Sequence, residues 1–146
     1  MDLSGSDLDN VTRTILAEVG QNATPASMAS IANVIRNRLA AGGYGKTPSE
    51  VVHAPYQFTP WNAANQGAPN DPHGYDPRSP AYKQAAALAQ GVFNGVIQDQ
   101  TGGATHFFAP AAPHARRTRL VERVAFSRDR RPPILRAVRL GDAGRA

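Results

Sequence analysis

Apolar residues recur at intervals of three and four in three stretches of the chain, each bracketed by residues that start or stop helices. Leu8, Val11, Ile15 and Val19 form one stripe, with Ser6 available as a cap, acids in the first turn and Gly20 behind it; a helix over 8–19 is predicted. Met28, Ile31, Ile35 and Leu39 form a second, opened by Thr24-Pro25 and closed by Gly42-Gly43. There Met28 reads as core filler, and Arg36, Asn37 and Arg38 occupy the last turns, where positive charge suits the helix dipole. Ala85, Leu88 and Val92 form a third stripe, opened by Ser79-Pro80 and ended by Gly95. Thr47-Pro48-Ser49-Glu50 reads as a capping box heading a short helix into Val51-Val52, which explains Glu50 without chemistry. After the turn Thr101-Gly102-Gly103, Ala104–Phe108 reads as a strand. A partner strand over Val121–Phe126 is left open.

Residues 53–78 follow neither period. They are rich in Pro, Asn, Gly and aromatics, and a loop of that length in a small domain is usually functional. Tyr44, Tyr56, Phe58, Trp61 and Tyr75 lie in or beside it, interleaved with Gln57, Asn62, Asn65, Gln66 and Asn70. Flat apolar faces beside amide groups suit a polysaccharide, whose rings stack and whose hydroxyls and acetamides need partners. The same rings would equally serve to anchor the loop to the core.

Composition narrows the classes. The chain has 146 residues, enough for one domain, and its 41% hydrophobic and 18% charged content is that of a globular protein. With no cysteine, it is neither a disulfide scaffold nor a thiolate metal protein, and it has no cysteine nucleophile. The sequence pI near 10.2 suggests a nucleic-acid partner until the charge is placed. Residues 113–146 hold ten Arg against three acids, whereas residues 1–112 hold six basic groups against eight acids. The basicity thus belongs to an Arg-rich tail, which could bind an anionic polymer, and no nucleic acid is expected for the body. Domain bounds of 1–112 and 113–146 follow. No run of apolar residues is long enough to span a membrane.

Glu18 is the residue with candidate chemistry. It lies seven residues after Val11 and three after Ile15, at the edge of the apolar stripe, so its carboxylate is only partly hydrated. Desolvation raises a carboxyl pKa, and a shift of roughly two units would make Glu18 a competent general acid near neutrality. His106 and His73 with Asp71 or Asp76 match no strong metal spacing; neither metal nor cofactor is expected.

Four blocks occur in order: Ala17–Gly20; Met28–Arg38; Tyr56-Gln57-Phe58-Thr59-Pro60-Trp61-Asn62; and Asp99–Phe108, whose Thr-Gly-Gly-Ala-Thr-His-Phe run is the most distinctive. In order and spacing they resemble the SleB-type cell-wall hydrolases, the spore cortex-lytic enzymes and their relatives in phages and other bacteria. The resemblance covers residues 10–110. It implies an α+β, mostly α fold, a lysozyme/lytic-transglycosylase-like helical domain with a small β-sheet beside the cleft. It also implies cleavage of the glycosidic bond between N-acetylmuramic acid and N-acetylglucosamine in peptidoglycan glycan strands, with Glu18 as the catalytic acid. Gln57, Thr59, Thr101, Thr105 and His106 are then the polar candidates for orienting substrate, and Phe58 and Trp61 the stacking candidates. Most glycosidases use two carboxylates. In a lytic transglycosylase one suffices, because the C6 hydroxyl of the substrate attacks the anomeric carbon and leaves a 1,6-anhydro end.

The chain departs from the family pattern at two places. The second acid and the Arg that commonly follow the catalytic Glu are replaced in Glu18-Val19-Gly20-Gln21-Asn22, and the Arg-rich tail resembles none of the closing segment. Two alternatives stay open: a hydrolytic muramidase with Asp71, Asp76 or Asp99 as second carboxylate, and a non-catalytic peptidoglycan-binding or phage-structural module. A monomer is expected. The acidic, polar start Met1–Asp7 does not read as a secretory signal. Synthesis in the cytoplasm is therefore expected, with delivery to the wall by a holin, a phage-like particle or another export route.

Overall fold

The computed structural model describes residues 1–55, 57–108, 123–127 and 137–139. Tyr56 and most of the Arg-rich stretch, about which the sequence raised expectations, lie outside the described residues. The domain is mostly helical: α1 spans Gly5–Val19, α2 Pro25–Ala41, α3 Pro48–His53 and α4 Pro80–Phe93. Short 3-10 turns at Thr59–Trp61, Ala63–Asn65 and Pro72–Gly74 punctuate the long loop between α3 and α4. Three short strands follow, β1 at His106–Phe108, β2 at Arg123–Ser127 and β3 at Ala137–Arg139. They pair antiparallel in the order β1-β2-β3, with Phe107 opposite Phe126 and Val124 opposite Val138. The backbone edge beside His106 is therefore covered by β2.

The helices start where the sequence places stop and start residues, with two differences. At α2, Thr24 and Ser27 satisfy each other's backbone N–H groups in a full capping box, with Pro25 behind the cap. Ser79 caps α4 through the Tyr82 amide. At α3 only half of the expected box forms: Thr47 Oγ1 accepts from the Glu50 amide, but Glu50 Oε2 turns outward to the Lys46 amide, 2.6 Å away. The Ser49 amide is bound by Asp7 on α1, which also accepts from the Ser49 hydroxyl. The second difference is at α1, which begins at Gly5 rather than behind a Ser6 cap. The cause is upstream: Leu3 is 2% exposed, and the Gln90 side chain on α4 binds both its N–H and its C=O. That clamp fixes the entry of the chain a turn earlier.

The core lies where α1, α2, α3 and α4 meet. Val11, Ile15, Met28, Ile31, Ile35, Val51, Val52, Phe58, Ala85, Val92 and Phe93 form one buried cluster. Each full-size aliphatic side chain buried there contributes about 1.5–3 kcal/mol. The alanines of α4 let it approach closely: Ala85 and Ala89 are fully buried beneath the packed helices.

The long loop is bound to α1 along one turn. Arg13 is held by Asp9 and donates to the carbonyls of Pro72, His73 and Tyr75. Trp61 Nε1 donates to Thr14 Oγ1 at 2.8 Å, and the Tyr75 hydroxyl donates to the Leu16 carbonyl. Three positions of one α1 turn, Arg13, Thr14 and Leu16, thus order a segment more than forty residues away, just before Glu18.

Candidate active site

Glu18 stands on the last turn of α1, three residues after the fully buried Ile15, and its side chain is half-buried, as the stripe predicts. Burial disfavours the carboxylate and pushes the Glu18 pKa up to about 7, while the nearby Arg38 charge opposes the rise. Thr14, one turn earlier on the same face, carries the Trp61 ring through its hydroxyl.

Arg38 is a functional candidate that the reading of the sequence missed, having assigned it to the helix dipole. It is 3% exposed. Its Nε donates to the Thr105 carbonyl at 2.5 Å, and its guanidinium carbon lies 4.7 Å from the Phe58 ring centroid and 5.3 Å from that of Tyr44. The signal was present: Arg38 follows Ile31 by seven and Ile35 by three, so it shares their buried face. Burial lowers its pKa, and the Tyr44 and Glu18 charges act in the opposite direction.

The other expected site residues divide. Gln57 is half-buried and Thr59 exposed on the loop, while Trp61 is half-buried with His53 and His73 edge-on at 4.3 and 5.3 Å between ring centroids. Phe58, expected as a stacking face, is instead a core residue at 2% exposure, because the guanidinium of Arg38 and the helices cover it. Thr105 is buried, and its hydroxyl pairs with His106 Nδ1 at 3.0 Å. His106 lies edge-on to Tyr44. Thus Arg38 links α2, the loop at Phe58 and the start of β1, and lies electrostatically coupled to Glu18 on α1.

Thr101 serves the turn that leads into β1. Its hydroxyl donates to Asp99 Oδ1 and accepts from the Ala104 amide. Asp99 also accepts from the Thr101 and Gly103 amides and from Asn37 Nδ2, which donates in addition to the Ala104 carbonyl. Burial raises the Asp99 carboxyl, but these hydrogen bonds outweigh it and hold the pKa below its ordinary value. Asp71 is likewise committed: the Gly67 and His73 amides and the His73 ring hold its pKa down at about 2. Asp76 is exposed and pairs with Arg78. Among the described residues, no group of three or more His, Cys, Asp or Glu is placed to hold a metal ion, and no helix is long and apolar enough to cross a membrane.

A half-buried acid with its pKa raised to about 7, within the field of a buried cation, is an arrangement suited to general acid–base chemistry. A family model described as Cell Wall Hydrolase matches residues 23–127, well over half of the chain, and the chain belongs to that family, the SleB family of its motifs. Its work is the cleavage of peptidoglycan in the cell wall. The matched range holds Arg38, the loop and the turn before β1, and begins shortly after Glu18. Comparison with curated proteins and with solved structures finds no match.

Proposed function

We propose that the protein is a lytic transglycosylase that cleaves the bond between N-acetylmuramic acid and N-acetylglucosamine, with Glu18 as the acid and then the base, in a lysozyme/lytic-transglycosylase-like helical domain. The observation that carries this reading is the Glu18 carboxyl, raised to about 7 by burial on the loop-bearing face of α1. A single group that must first give a proton and then take one works best with its pKa near the working pH. Protonated Glu18 donates to the glycosidic oxygen as the bond breaks. The carboxylate so formed accepts the proton of the C6 hydroxyl as that oxygen closes on the anomeric carbon, restoring the acid. Gln57, Thr59, Trp61 and His106 are the groups proposed to orient the sugars, whereas Phe58 and Thr101 act through the fold.

The hydrolytic alternative needs a second carboxylate; the oxygens of Asp71 and Asp99 are engaged by loop amides, and Asp76 is exposed and paired with Arg78. That favours the one-carboxylate route. Mass spectrometry of muropeptides released from purified sacculi tests it. The expected products carry 1,6-anhydro ends; reducing ends alone would refute the transglycosylase. A Glu18→Gln protein that releases products at the wild-type rate would refute the assignment of Glu18.

A further inference from the structure

The buried end of Arg38 does more than pack. Its Nε is committed to Thr105, but Nη1 is buried and has no hydrogen-bond partner among the described residues. A guanidinium taken out of water with one N–H group uncommitted is costly unless its charge is used. Two rings, Phe58 and Tyr44, and one backbone carbonyl, Thr105, hold it in place from three different segments.

The charges around Glu18 leave few other candidates. Asp9, Arg13 and Tyr82 close on one another earlier on α1 and on α4. From α3, Glu50 turns to the Lys46 amide and His53 lies against Trp61; from the loop, His73 pairs with Asp71. Asp99 is held by Asn37 and Thr101, and His106 and Tyr44 lie on the Arg38 side. Among the described residues Arg38 is the charged group that acts on Glu18, and the ion pairs found there include neither of the two, so the charge acts across a gap.

We propose that Arg38 is a positioning residue for Glu18: its clamped, buried guanidinium stabilises the carboxylate that Glu18 becomes each time it gives up its proton. The inference rests on the reading of Glu18 as acid and base. Without the cation, a desolvated Glu18 would hold its proton too tightly, and the first step would slow. A salt bridge in direct contact would make the opposite error and leave Glu18 ionised. A cation held at a distance avoids both, and the rigid clamp keeps that distance constant.

The test compares the full chain with its Arg38→Gln, Arg38→Lys and Glu18→Gln variants. The rate of sacculus lysis is followed against pH, and the Glu18 carboxyl is titrated by carbon-13 NMR, a readout independent of activity. In Arg38→Gln the alkaline limb of the rate profile and the Glu18 titration should both move up by roughly one unit, the size of effect an opposite charge at this range exerts. The maximal rate should fall about tenfold. Arg38→Lys, which keeps the charge, should leave both midpoints near those of the wild type. A folded Arg38→Gln protein whose limb and titration do not move overturns the proposal. If Arg38→Gln does not fold, Arg38→Lys decides: unmoved midpoints support the proposal, and an upward shift overturns it. Wild-type lysis by Glu18→Gln overturns this inference together with the reading beneath it. An inactive Glu18→Gln with an unmoved Arg38→Gln limb overturns this inference alone.

Discussion

Two half-buried carboxylates in this domain meet opposite fates. At the end of α1, burial pushes the Glu18 pKa up to about 7, and among the described residues the Arg38 charge is what opposes the rise. At the turn before β1, burial also acts on Asp99, but two amides and the Thr101 and Asn37 side chains donate to it, and it stays ionised below its ordinary range. Partial burial is common to both. Among the described residues, what separates them is the supply of hydrogen-bond donors: burial is left to raise the Glu18 carboxyl, whereas Asp99 is held ionised as it holds a turn together.

The sharpest way to break this contrast is at Glu18. Glu18→Gln should lower sacculus lysis by roughly a thousandfold, within the range general acid–base groups contribute, while sacculus binding persists in a pull-down. The same substitution should raise stability at alkaline pH. The folded protein holds the Glu18 proton more tightly than the unfolded chain, so its contribution is full below about 4.5 and is lost as pH rises through about 7. Chemical denaturation at pH 8 should therefore find Glu18→Gln more stable by about 3 kcal/mol, a difference that vanishes near pH 4. Asp99→Ala should behave in the other sense, losing about 2 kcal/mol of stability at neutral pH. Because the folded-state pKa of Asp99 is lowered, its own contribution is lost as pH falls through the acid range, and the gap between wild type and Asp99→Ala should narrow there. Trp61→Phe, which removes the bond to Thr14, should cost about 1 kcal/mol in the same denaturation assay.

Much of the helical framework was legible. The Thr24-Pro25 and Ser79-Pro80 starts and the buried stripes of α1 and α2 follow from short-range rules, because caps and helical faces are set within a few residues. The raised environment of Glu18 was legible for the same reason: its place at the stripe edge is a matter of spacing along one helix. The misreadings share a different origin. Ser6 lost the start of α1 to a clamp on Leu3 from Gln90, and the Glu50 side chain left the capping box for the Lys46 amide. Phe58 could be read as a stacking surface or as an anchor of the loop, and it is the latter, a core residue; nothing local announces that Arg38 will lie on its ring.

Sequence alone therefore determined which faces are buried, where the helices begin and end to within a turn, and which acid is partly desolvated. Tertiary structure decided what each polar group touches. Arg13 reaches carbonyls about sixty positions away, Arg38 reaches Thr105 across a similar span, and Asn37 reaches Asp99. Burial follows a period of 3.6 residues that can be counted along the chain, whereas a hydrogen bond is satisfied by whichever donor and acceptor the packed helices bring within 3 Å.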